Sequence, residues 1–156
     1  MKFNNLKEVT NYFSKLNKDN YYLDYILEEG TVSLEWYKAI LEKVKKYKPK
    51  RVIDIGSGVN MFGYLFANEG IEYIGIDEEK EIRPIIADNI KFVNANYYDV
   101  REQFKDDIII SCLCMGYLIP IKDVLGKILI VNDNTGTNEN FICTAKEINL
   151  KDINNG

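Results

Sequence analysis

A chain of 156 residues, 46% apolar and 12% aromatic, can bury one ordinary core, so a single domain over residues 1–156 is expected. Its net charge of −4 gives no global attraction to a phosphate backbone, and a nucleic-acid partner is not indicated. Histidine is absent, which removes the commonest general base and metal ligand and counts against Ser-His hydrolases and most catalytic zinc centres.

Residues 1–48 read as a helical segment, because apolar positions recur at helical spacing in three stripes. Val9, Tyr12, Phe13 and Leu16 form the first; Leu23, Ile26 and Leu27 the second. Leu34, Tyr37, Leu41 and Val44 form the third, behind Ser33 as N-cap, and Gly30 separates the second from the third. Pro49 disfavours helix at Tyr47 and Lys48. The basic run Lys43, Lys45, Lys46, Lys48, Lys50 and Arg51 reads first as a solvated helix end and second as a contact for RNA or an acidic partner.

From residue 50 to 150 short apolar runs alternate with helical or turn-rich segments, the pattern of a parallel sheet with crossovers. Strands are predicted at 51–55, 72–76, 91–94, 107–112 and 127–131. Between them lie a helix over 60–68 closed by Gly70, a stretch over 78–89 interrupted by Pro84, and short segments over 99–105 and 121–125. Crossovers this short predict a thin helical layer on at least one face. The polar turn formers of residues 132–138 leave no room for a crossover before the apolar run 141–148, so that run must return as an antiparallel hairpin strand. Residues 151–156 are expected to fray.

The chemistry concentrates in Asp54-Ile55-Gly56-Ser57-Gly58-Val59-Asn60 and in Asp77, which ends the next strand. Glycines after a strand let the backbone turn sharply and approach a ligand, and a helix start would present unpaired amides to it. Asp77 follows Gly56 by about 20 residues, the offset of a carboxylate that accepts from ribose hydroxyls at the neighbouring strand end.

Over roughly residues 50–133 these motifs resemble the class I S-adenosylmethionine-dependent methyltransferases, of which the chain looks like a small, truncated member. The resemblance implies an α/β fold: a Rossmann-like three-layer sandwich, mostly parallel, with an antiparallel last strand, preceded by the N-terminal helices. It implies S-adenosylmethionine as cofactor, held by Asp54, Gly56, Ser57, Gly58 and Asp77. Asn96 stands at the adenine-contacting position with Tyr97 beside the base, and Ser111 opens the post-fourth-strand loop, 111–117, where acceptor contacts fall. Two positions depart from the family pattern: Asn60 replaces a glycine, which asparagine's access to left-handed backbone tolerates, and Asn96 replaces a carboxylate. Methyl transfer needs mainly alignment; Tyr117, Tyr98 or Asp99 could assist an acceptor, and the residues do not choose among them.

Two other readings stand beside this one. A catalytically silent module would keep the fold, bind the cofactor or a partner, and use a thinly covered face for self-association or a partner subunit. A nicotinamide-linked oxidoreductase would need glycine at position 61, where Met61 stands. Cys112, Cys114 and Cys143 read as buried apolar residues and not as a metal site. Tyr21, Tyr22, Tyr25, Trp36 and Tyr37 pack the N-terminal segment on the sheet or wall an acceptor pocket. No run of about 18 apolar residues and no signal-peptide stretch appear. With an unpaired set of three cysteines, a cytoplasmic protein without membrane association is expected.

Overall fold

The computed structural model describes residues 1–20, 23–81, 83–112, 119–133 and 144–154, with the side chains of residues 25, 26, 28–32 and 154 outside the description. Two helices come first, α1 (Leu6–Leu16) and α2 (Leu23–Lys45). There follow β1 (Arg51–Ile55), α3 (Gly63–Ala67), β2 (Glu72–Asp77), β3 (Ile90–Asn94) and α4 (Tyr97–Val100), which runs into a 3-10 turn at Arg101–Phe104. Then come β4 (Ile108–Ser111), a 3-10 turn at Ile121–Asp123, β5 (Ile128–Asp133), β6 (Thr144–Asn149) and α5 (Leu150–Asn154). Among the described residues six strands form one sheet in the order β3-β2-β1-β4-β5-β6, all neighbours parallel except β5 and β6.

The strands are isoleucine-rich because both faces are covered. On one face α1, α2 and α3 bury Phe13, Ile40, Val44 and Phe66 against Val52, Tyr73, Ile110 and Ile130. On the other face Ile53, Ile55, Ile74, Ile109 and Leu129 meet, among the described residues, short elements through Tyr97, Phe104, Val124 and Leu150. Unequal crossover lengths thus make an unequal sandwich. Arg51 clamps the start of the sheet, donating from Nε and Nη2 to both Asp107 carboxylate oxygens at 2.9 and 2.8 Å, a paired geometry specific to guanidinium and carboxylate.

Several local expectations change. The second and third apolar stripes belong to one continuous helix, α2, which runs through Gly30 and Ser33, so Ser33 caps nothing. An interior glycine weakens a helix by about 1 kcal/mol, too little to break one whose later turns bury Trp36, Tyr37 and Ile40. The helix expected over 60–68 starts only at Gly63, because Asn60 is held at φ +62°. Leu150, fully buried, begins α5, which carries the chain to Asn154; residues 155 and 156 lie outside the described residues. The hairpin loop between β5 and β6 lies outside the described residues.

Asn5 caps α1, its side chain accepting from the Glu8 amide at 3.0 Å. Phe13 and Val9 are fully buried beneath it. If α1 is part of the folded unit, Phe13→Ala should lower the unfolding free energy by about 3 kcal/mol in urea titrations followed by Trp36 fluorescence; an unchanged midpoint would show that α1 adds nothing to the core.

Candidate functional site

The bend after β1 curls over the end of β2. Gly56 and Ser57 both donate their amides to the Ile76 carbonyl, at 2.9 and 3.2 Å. Gly56 and Gly58 take φ +71° and +60°, a left-handed conformation that side chains disfavour. The Gly58 amide then donates to Asp77 Oδ2 at 2.8 Å, while Asp77 Oδ1 accepts from the Glu79 amide at 2.9 Å. A Cβ built on Gly58 would have nothing within 4 Å, so this corner of the bend faces open space. Asp77, half-buried, thus stands at the rim with one lone pair on each oxygen still available.

Behind the rim the bend is pinned from below. Asn60 is fully buried and donates from Nδ2 to the carbonyls of Ile85 and Lys91, at 3.1 and 3.0 Å. Gly75 of β2 lies beneath it: a Cβ there would fall 1.9 Å from Asn60 Oδ1 and 2.4 Å from Ser57 Oγ. Only glycine lets the bend settle this close to the strand.

The other expected residues occupy different places. Asp54 is fully buried on the helical face, where its Oδ2 accepts from Tyr37 of α2 at 2.8 Å and from the Tyr73 hydroxyl of β2. Ser111 is buried and donates to the Ile55 carbonyl at 3.0 Å. Tyr97 is buried in the thinner layer, its hydroxyl accepting from the Leu125 amide at 2.9 Å. Asn96 caps α4, accepting from the Tyr98 amide at 3.0 Å. The structure therefore brings Gly56, Gly58 and Asp77 to one rim, puts Ser57 directly under it, uses Asp54, Ser111 and Tyr97 for internal hydrogen bonds, and leaves Asn96 exposed as a helix cap. Residues 113–117, with Cys114 and Tyr117, lie outside the described residues, as do Cys143, Tyr21 and Tyr22 and the side chain of Tyr25.

Sequence reasoning missed Tyr73 and Gly75. Their signal was present: a tyrosine inside an isoleucine-rich strand needs a partner for its hydroxyl, and a glycine two residues on, on the same face, marks a close approach of other chain. Half of the basic run stands near acids, with Lys45 near Glu42 and Glu69, Lys46 near Glu147, and Arg51 on Asp107. Among the described residues no cluster has the make-up of a metal site, and no helix is long and apolar enough to cross a membrane.

No family model matches the chain, and no curated protein sequence does. Solved structures do. A protein of Nostoc punctiforme PCC 73102 classed provisionally as an O-methyltransferase matches with a TM-score of 0.51 at 13% identity, over 70% of this chain and 40% of that one. The plantazolicin methyltransferase, solved in complex with SAH, matches with a TM-score of 0.49 at 17% identity, over 82% of this chain and 60% of that one. The chain thus spans less than two thirds of the length of either. The first likeness establishes the fold, which is the Rossmann-like fold of the class I methyltransferases, with the antiparallel strand beside the fifth.

Burial pushes the Asp54 carboxyl up to about 7, against the lowering effect of the Tyr73 and Tyr37 hydroxyls and with a smaller contribution from the Asp77 charge. Burial, and then the Asp54 charge, raise both tyrosines well above their usual range; Cys112 is the remaining titratable group beside this pair of phenols. The folded chain therefore holds a proton on Asp54 that the unfolded chain releases near pH 4. The stabilisation is complete below that value and is lost as pH rises through about 7. Asp54→Asn should flatten this dependence. Between pH 5 and 8.5 the wild type should lose on the order of a few kcal/mol relative to the variant in paired urea titrations, and parallel curves would place the Asp54 proton elsewhere.

Proposed function

We propose that the chain binds S-adenosylmethionine at the Gly56–Gly58 rim and serves methyl transfer. The observation that carries this reading is the hydrogen bond from the Gly58 amide to Asp77, which sets a carboxylate beside a side-chain-free bend open to solvent. A nucleoside sugar presents two neighbouring hydroxyls, and Asp77 has one lone pair per oxygen left to accept them. The bend admits the sugar because no Cβ stands at Gly56 or Gly58. Asn96, at the end of the next strand, keeps a lone pair and its amide protons for the adenine edge. Asp54, Ser57, Ser111 and Tyr97 act on the cofactor through the backbone they hold in place.

When bound, S-adenosylmethionine supplies a methyl group on a cationic sulfonium, a reagent that needs little acid–base help. The protein's part is to fix the sugar and exclude misaligned poses, so a chain without histidine is chemically adequate.

A second reading, a binding module without turnover, is favoured by one observation. The amides of Gly56, Ser57, Gly58 and Asn60 are all engaged within the protein, and α3 begins only at Gly63 and spans 5 residues, so it offers the bend no adjoining helix start. Under this reading the cofactor binds but label from its methyl group accumulates in no acceptor of a host-cell extract.

Calorimetric titration separates the readings. S-adenosylmethionine and S-adenosylhomocysteine should bind saturably and NAD should not; absence of binding by the first two overturns the proposal. Asp77→Ala should weaken binding by about 1–3 kcal/mol, roughly 5- to 150-fold, and an unmoved affinity would remove Asp77 from the ribose.

A further inference from the structure

Three buried polar atoms on the helical face have no hydrogen-bond partner among the described residues: Asp54 Oδ1, Ser57 Oγ and Asn60 Oδ1. Two of them lie over Gly75 of β2. Ser57 Oγ and Asn60 Oδ1 flank the point where its Cβ would sit. Asp54 is the register partner of Gly75 in the β1–β2 pair, so its side chain rises from the sheet beside that point. Asp54 and Asn60 are held in place by their other bonds. Asp54 Oδ2 is held by two tyrosine hydroxyls, the Asn60 amide is oriented by two carbonyls that accept from its Nδ2, and the Ser57 backbone is fixed on Ile76.

Buried polar atoms are almost always paired with protein or with ordered water. Asn60 Oδ1 requires a donor, Asp54 Oδ1 accepts when charged and donates when protonated, and Ser57 Oγ can do either. Water carries two donors and free lone pairs, so one molecule meets all three requirements, and three hydrogen bonds are typical of an internal water. A protonated Asp54 Oδ1 could serve only one of the other two directly.

We propose that Asp54, Ser57 and Asn60 form a binding site for a single internal water molecule held between their three side chains, which joins the glycine bend to the Tyr37–Asp54–Tyr73 cluster. The site ties α2, through Tyr37, to the residues that shape the rim. Asp54 is in this sense a positioning residue: it acts on Gly58 through water and Ser57. The water site does not depend on which ligand the rim takes, and its test uses the free protein, so failure of cofactor binding and failure of this inference are separate results.

A crystal structure of the ligand-free protein at about 1.5 Å should show one water oxygen within about 2.6–3.2 Å of all three atoms. Direct contact between Asp54 and Asn60 oxygens, a cation at about 2.3–2.6 Å from them, or no density at the site would each overturn the proposal. In solution, Ser57→Ala removes one of the three bonds and should speed hydrogen exchange at the Gly58 amide about tenfold while leaving the Tyr73 amide in the sheet unchanged. Equal exchange at Gly58 in wild type and variant would show that no such bridge holds the bend.

Discussion

The bend after β1 is held down by the end of β2 and not by a helix of its own. Ile76 accepts from Gly56 and Ser57, and Asp77 accepts from Gly58, so the position of the rim is fixed by the parallel register of the two strands. That register in turn requires Gly75, because the bend's side chains occupy the space a Cβ would fill. A carboxylate at residue 77 and a glycine at residue 75 are therefore one device: the first holds the bend from the front, the second makes room for it behind.

Behind this device sits an acid that does not face the rim. Asp54 stands just before the glycine bend yet turns toward α2, where two phenols donate to one of its oxygens. Burial raises the cost of its charge, and the hydroxyls offset only part of that cost. The N-terminal helices are thus bound to the sheet by polar contact as well as by the packing of Phe13, Ile40 and Val44. Among the described residues the opposite face carries shorter elements, α4 and the 3-10 turns, and Tyr97 and Phe104 cover the isoleucines there.

Much of this was legible in the residues. Short isoleucine-rich runs marked β1, β2 and β4 to within a residue or so, since strands buried on both faces leave a continuous apolar signature. The short polar link before residue 141 required an antiparallel partner for β5, and the sheet has one. Local backbone preference at Asn60 was read correctly as left-handed, but its consequence for α3 was not: the side chain is anchored to Ile85 and Lys91, which no spacing rule reveals. Gly30 misled for the opposite reason, because propensity is a small term beside the burial of Trp36, Tyr37 and Ile40.

By itself the sequence determined the class of fold, the place of the glycine bend and the strand end that carries Asp77, because each depends on local chemistry: turn residues, apolar runs and chain-length limits on crossovers. Tertiary structure decided what each polar side chain does. That Asp54, Ser111 and Tyr97 lie in the interior depends on which strand, loop or phenol is within hydrogen-bonding reach, and that is set by packing between segments far apart in the chain.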